Sequence, residues 1–166
     1  GGADFVGSID RVDVDESGRA VVIDYKHKSP NGFSREYALW PTEVIPEGDF
    51  VLPRRVQTLI YASVARRVHP ELDFVGAVYF STKGDHALAG AVDDAAAERI
   101  FGVRKPNKRN IVQTGPLHSF DELLDRSEGL IAQAISRMLA GDIEAAPIDH
   151  EACSFCPVLN CERRLS

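Results

Sequence analysis

Cysteine is scarce in this sequence and unevenly placed: three residues, all between positions 153 and 161. An odd, clustered set cannot build the disulfide framework of a small secreted domain, and it points instead to reduced thiols used for metal ligation. Long apolar runs are missing. None approaches the roughly 20 residues of a membrane-spanning helix, so no membrane partner is expected, and no secretory signal is visible. Positive charge is not in excess either. Nineteen Lys and Arg against 25 Asp and Glu leave a net charge of −6, which excludes a protein held to nucleic acid by bulk charge. A local basic surface stays compatible with that total, because acids that bind metal count against it. Internal repeats and low-complexity tracts are absent too. These absences together read as a cytoplasmic protein.

What is present is enough for one compact core. A chain of about 150 residues buries roughly 70% of its unfolded surface, and this one has 166 residues, 44% of them hydrophobic. Residues 4–28 read as a β-hairpin, Phe5–Val14 and Ala20–Lys28, with Gly18 suited to the left-handed position of a three-residue loop. Residues 29–53 carry Pro30, Gly32, Pro41, Pro46, Gly48 and Pro53 and read as a variable, irregular segment. A helix is expected over 54–68, with Val56, Leu59, Ile60, Ser63 and Val64 near its apolar stripe. Phe74–Ser81 reads as a central strand, Asp93–Phe101 as a short helix and Arg104–Asn110 as a basic loop. Ser119 is a good N-cap for a long helix ending near Gly141. The expected organisation is a core over 1–145 and a cysteine-bearing tail over 146–166.

The hairpin has a chemical consequence. With Glu16-Ser17-Gly18 as its loop, paired residues sum to 34, so Val14 faces Ala20, Val12 faces Val22 and Asp10 faces Asp24. Directly opposite side chains share a sheet face with Cβ atoms about 4.5–5.5 Å apart, and Lys26, two residues beyond Asp24, points the same way. Val12, Val14, Ala20 and Val22 make that face look core-directed. Like charges placed so are destabilising unless a cation joins them. Mg²⁺ suits the arrangement, since it takes one or two carboxylates and leaves positions for water and phosphate oxygens. Lys26 would orient the attacking water or stabilise charge developing on phosphate. Asp13 and Asp15 fall on the opposite face and read as solvated.

Three elements then occur in order: Gly7-Ser8-Ile9-Asp10-Arg11, Ile23-Asp24-Tyr25-Lys26, and Gln57-Thr58-Leu59-Ile60-Tyr61. Their combination resembles the PD-(D/E)XK nucleases, most closely the RecB/AddB exonuclease branch. The resemblance implies an α/β fold, a mixed central β-sheet flanked by helices in a restriction-endonuclease-like core. The helix that usually precedes the first element is missing here; the chain begins Gly-Gly rather than Met and reads as a fragment, expected to be a weak nuclease alone. The resemblance further implies that Asp10, Asp24 and the backbone carbonyl of Tyr25 bind Mg²⁺ or Mn²⁺, that Lys26 is the catalytic lysine, and that Gln57 and Tyr61 line the substrate side. Gln57 and Tyr61 are also i and i+4, so they share one helix face.

Cys153, Cys156 and Cys161 form a C-x₂-C-x₄-C cluster. It resembles the three cysteines that follow the core in iron–sulfur members of that branch, although the last gap is one residue shorter. The resemblance implies a four-iron, four-sulfur cluster in the intact protein, with its fourth Cys outside this chain. Zinc with His150 as fourth ligand, or no metal at all, are the alternatives. For DNA contact the candidates are Arg54 and Arg55, one turn before Gln57; His27, beside Lys26; and Lys105, Lys108 and Arg109 in the basic loop. The function implied is metal-dependent DNA hydrolysis, exonucleolytic, in a DNA-repair protein with a helicase subunit or region as partner. A stand-alone iron–sulfur exonuclease of the CRISPR-adaptation type is an alternative, as is a non-catalytic DNA-binding module on a decayed nuclease fold.

Overall fold

The computed structural model describes residues 4–39, 50–53, 55–93, 96, 110–112, 119–142, 144–145, 153–154, 156–158 and 160–163. The chain forms two compact units, Gly1–Ala132 and Gln133–Ser166. Arg54, Lys105, Lys108, Arg109 and His150 lie outside the described residues, as does most of the helix expected over Asp93–Phe101.

The first unit is built on a five-stranded sheet in the order β1-β2-β3-β4-β5: Arg11–Val14, Arg19–Lys26, Asp73–Ser81, Leu88–Val92 and Asn110–Val112. β1 and β2 form the expected hairpin, with Val14 paired to Ala20 and Val12 to Val22, but residues 5–10, expected in its first strand, lie outside the ladder. Its loop is fixed from within. The Asp15 N–H donates to the Arg19 carbonyl at 2.9 Å, and the Gly18 N–H donates to the Asp15 carbonyl at 3.0 Å. Gly18 takes φ +83°, which only a residue without Cβ adopts freely. The Asp15 carboxylate accepts from the Ser17 and Arg19 backbone N–H groups and binds the Arg19 guanidinium at 2.7 Å. Asp15 is thus the organiser of the turn rather than a solvated charge.

β2 and β3 pair in parallel, which requires a crossover of at least a dozen residues. That crossover holds α1 (Phe33–Tyr37) and α2 (Gln57–Val68). The sheet is mixed, because β1–β2 and β3–β4 are antiparallel while β2–β3 and β4–β5 are parallel. This is the α/β architecture expected.

α2 packs over β2 and β3, and its buried face runs through Thr58, Leu59, Ala62, Ser63 and Ala65. The stripe expected from the sequence is rotated from this one: Val64 is exposed, and Ala62 and Ala65 take the inner positions. Small residues on both surfaces allow it, since Ala20 and Ala77 lie in the same core cluster. α2 leaves the edge strand uncovered. Val12 and Val14 therefore stand 38% and 50% exposed, although the alternation predicts that they face the core.

The described strands include two that the pattern does not suggest. β4 (Leu-Ala-Gly-Ala-Val) is nearly buried, and β5 begins at Asn110, where a basic loop is expected to end. Gly90 in β4 has φ +144°, and a Cβ there would lie 2.4 Å from the Ala77 carbonyl oxygen, so the backbones of β3 and β4 approach too closely for any side chain.

α3 (Phe120–Leu139) begins in the first unit, where Phe120, Leu123 and Leu124 join the core cluster of α2 and the sheet. The Glu122 N–H donates to Ser119 Oγ at 3.1 Å, the expected N-cap. Arg66 of α2 binds Asp121 at 2.9 Å and Asp125 at 2.7 Å, and Arg67 binds Glu128. These two arginines are therefore engaged by α3. In the second unit the helix ends as expected. Gly141 has φ +87°, its N–H donates to the Met138 carbonyl, and the Asp142 N–H donates to that of Arg137, a Schellman closure. No described helix is long and apolar enough to cross a membrane.

Candidate active site

β2 and β3 run in parallel, and the carboxyl ends of parallel strands are where open α/β sheets bind ligands. Asp24 pairs with Tyr79, and Lys26 with Ser81, at that end. Asp24 is only 3% exposed. The Lys26 ammonium lies 2.6 Å from Asp24 Oδ2. This is a short ion pair on a buried carboxylate oxygen. Lys26 Nζ also donates to Gln57 Oε1 at 3.0 Å, and Gln57 Nε2 donates to the Tyr61 hydroxyl at 2.8 Å. The i,i+4 pair on the first turns of α2 is thereby wired to the end of β2.

Asp10 stands just before β1, exposed, one residue beyond the Arg11–Ile23 pair. Its Oδ2 accepts the Tyr25 backbone N–H at 2.9 Å. Gly7 passes tightly beside the Tyr61 ring, since a Cβ at Gly7 would lie 3.3 Å from it. All three sequence elements thus meet. Burial opposes the charge on Lys26, but the adjacent Asp24 outweighs it, and the lysine is held protonated above its ordinary value.

A family model for the PD-(D/E)XK nuclease superfamily matches residues 1–161. The chain belongs to the PD-(D/E)XK nuclease superfamily. No curated protein and no solved structure matches it. PD-(D/E)XK nucleases generally use divalent metals, and the donors here fit one. Asp24 supplies a buried carboxylate whose cationic partner is the Lys26 ammonium, and Asp10 a second, accessible one. Hard divalent cations take such oxygens. Among the described residues no third Asp, Glu, His or Cys joins them.

The remaining candidates are dispersed. Tyr25 is partly exposed, packs edge-on against Phe80, and its hydroxyl accepts from Arg11 at 3.0 Å. His27 Nδ1 is 3.2 Å from Thr82 Oγ1, at the surface. Arg55 binds Glu36 at 3.2 Å and lies over the Tyr37 ring. In the second unit, Cys153 is buried and Cys156 and Cys161 are partly buried; the Cys156 N–H donates to the Cys153 carbonyl at 3.3 Å.

The site also contains residues that sequence reasoning missed. Tyr79 is buried under Lys26, whose Nζ is 5.6 Å from the ring centroid, and its hydroxyl accepts the Thr58 N–H at 3.4 Å. Burial pushes its phenol up. Tyr37 packs on Tyr79 with ring centroids 4.9 Å apart. A strand tyrosine beside an acid is ordinary in composition, so only the Asp24–Tyr79 pairing reveals the role.

Proposed function

We propose that this chain hydrolyses phosphodiester bonds in DNA with Mg²⁺ or Mn²⁺, as the exonuclease domain of a RecB/AddB-type DNA-repair protein that works with a helicase. The observation that carries the hydrolytic reading is the buried Asp24 carboxylate at the end of β2, paired at 2.6 Å with a lysine that Gln57 and Tyr61 hold in place. A buried carboxylate is costly to keep charged, and a hard divalent cation that leaves positions for phosphate oxygens would share its charge with Lys26.

Asp10, Asp24 and the Tyr25 carbonyl would hold the metal. A bound divalent ion would polarise a phosphoryl oxygen and acidify water. Lys26, held protonated beside Asp24, would donate a hydrogen bond where charge develops on the phosphate. Gln57 restrains Lys26 through its Oε1, and Tyr61 fixes the amide of Gln57, so the ammonium is aimed before substrate arrives. Asp10 is oriented by the Tyr25 N–H. In the tail, Cys153, Cys156 and Cys161 would supply three thiolates of a four-iron, four-sulfur cluster, with the fourth from outside these 166 residues. The backbone turn joining Cys153 to Cys156 favours a shared centre.

The test is digestion of linear DNA with Mg²⁺ or Mn²⁺ by the wild-type chain and by Asp24→Asn. A fall in rate of at least about a hundredfold is expected, the scale of removing one strong electrostatic interaction with the reacting phosphate. Equal rates would sink the assignment. Metal-dependent DNA binding by the wild type without any cleavage would favour a non-catalytic module instead.

A further inference from the structure

Beyond Lys26 the chain does not simply leave the sheet. The Lys28 N–H donates to the Lys26 carbonyl at 2.8 Å, closing a tight three-residue turn at His27. The Lys28 carbonyl accepts from Ser81 Oγ at 2.6 Å, and the Lys26 carbonyl accepts from the Thr82 N–H at 3.1 Å. Lys28 is thus pinned to the end of β3 beside the candidate active site. Its ammonium binds Glu36 Oε1 at 2.5 Å, and Arg55 reaches the same oxygen at 3.2 Å.

Both cations lie against one ring. Lys28 Nζ is 5.8 Å, and the Arg55 guanidinium carbon 5.3 Å, from the Tyr37 centroid. Tyr37 packs on Tyr79, over which Lys26 lies. Three cations therefore share one continuous aromatic floor. Among the described residues, charge at its outer end is unbalanced, with two positive groups sharing a single carboxylate oxygen. Arg55 Nε is buried and has no hydrogen-bond partner among the described residues. Lys28 and Arg55 are themselves half and two-fifths exposed, so a ligand can reach them.

We infer that Lys28 and Arg55, held on the Tyr37 ring, form a second phosphate subsite that grips the nucleic-acid backbone next to the phosphate at Asp24 and Lys26. Glu36 holds the two cations in place in the free protein and competes with the strand for them. Phosphate is the ligand that fits, because a guanidinium and an ammonium side by side match its several acceptor oxygens. The inference rests on the nuclease reading, since continuity with Lys26 is what makes the ligand a strand rather than an isolated anion.

The experiment is binding of a fluorescent single-stranded oligodeoxynucleotide to the full 166-residue chain in EDTA, by anisotropy, over a series of salt concentrations. Every phosphate that a cation neutralises adds about 0.7 to the steepness of log K against log salt for a single strand. Lys28→Gln and Arg55→Gln should each make the dependence shallower by about that amount. Glu36→Gln should act in the opposite direction and tighten binding about fivefold, roughly the worth of one solvent-exposed charge at about 4 Å. A merely structural role for Glu36 would weaken binding, so that variant keeps the test decisive even if either cation variant folds poorly. Unchanged slopes in Lys28→Gln and Arg55→Gln, or weaker binding by Glu36→Gln, would overturn the subsite while leaving wild-type cleavage and the nuclease reading intact. A wild-type chain that neither binds the strand with a salt dependence nor cleaves DNA would overturn both.

Discussion

Replacing Lys26 by Met separates the two tasks its position implies. Asp24 is buried and its only close cation among the described residues is the Lys26 ammonium, 2.6 Å from Oδ2. Removing one partner of a fully buried ion pair costs about 3–5 kcal/mol, because the other charge stays behind without compensation. Lys26 keeps 26% of its side chain exposed, so water offsets part of that, and about 2 kcal/mol is the expected cost in EDTA. For a chain of this size that lowers the thermal midpoint by roughly 4–8 °C. A divalent cation narrows the difference. In the wild type it competes with Lys26 for Asp24, whereas in Lys26→Met it meets an unpaired carboxylate. A ligand at about 100 times its Kd stabilises by about 2.7 kcal/mol, so the midpoint gap to wild type should close in Mg²⁺ while DNA cleavage stays abolished. Asp24→Asn should give no midpoint response to Mg²⁺. The assay is thermal unfolding by circular dichroism in EDTA and in Mg²⁺, with cleavage measured alongside. If Lys26→Met were as unresponsive to Mg²⁺ as Asp24→Asn, Lys26 would be part of the metal-binding framework, and its separate role toward phosphate would be refuted.

Gly90→Ala should destabilise the fold by roughly 3 kcal/mol, since it adds a strained φ to a Cβ 2.4 Å from the Ala77 carbonyl oxygen; a urea midpoint equal to wild type would contradict the close approach of β3 and β4. Asp15→Asn should flatten the acid limb of the stability–pH curve. Hydrogen bonding from Ser17, reinforced by Arg19, holds the Asp15 carboxyl far below its ordinary 3.8, against the effect of burial. A depressed native value adds stability that is present above the unfolded value and lost as pH falls through the native one, so wild type and variant should begin to converge below about pH 4. Parallel curves from about pH 6 to about pH 2 would exclude that role for Asp15.

The parts of the fold that were legible in the sequence are those set by local geometry. Gly18 fixes the loop, the loop fixes the register, and the register leads from the Arg11–Ile23 pair to Asp10, whose carboxylate accepts the Tyr25 N–H next to Asp24 in sequence. Ser119 and Gly141 mark the two ends of α3 through the backbone groups they satisfy or free. What escaped depends on tertiary partners. β4 offers Ala, Gly and Ala where a strand pattern needs β-branched residues, and it is a strand because β3 pairs with it. α1 sits among turn-forming residues and is stabilised by burying Phe33 and Tyr37 rather than by propensity. Val12 and Val14 alternate like core residues, but α2 stops short of the edge. The Lys28–Glu36–Arg55 group escaped for a related reason. Its members lie 8 and 19 residues apart with no periodic relation, and a shared aromatic ring assembles them.

The net charge of −6 and the proposed DNA substrate are reconciled by where charge sits rather than by how much there is. Arg66 and Arg67 are committed to α3, and Arg19 to the hairpin turn, so these cations serve the fold. Lys26, Lys28 and Arg55 converge instead on the end of β2, where the carboxylates among the described residues are Asp10, Asp24 and Glu36, the first two of them proposed metal ligands. With a divalent ion bound, the local balance around this group becomes clearly positive while the rest of the surface stays acidic. A negative net charge repels a strand on average, so a locally positive group turns that charge from an objection into a means of directing the backbone to the site. The corresponding expectation is that DNA affinity rises with Mg²⁺ far more than counterion screening allows, and that Asp24→Asn, which removes a negative charge, nevertheless fails to gain that Mg²⁺-dependent increment. Anisotropy titrations of both proteins at matched ionic strength, with and without Mg²⁺, measure it; an equal Mg²⁺ increment in the variant would mean that the ion acts on the DNA and not at Asp24.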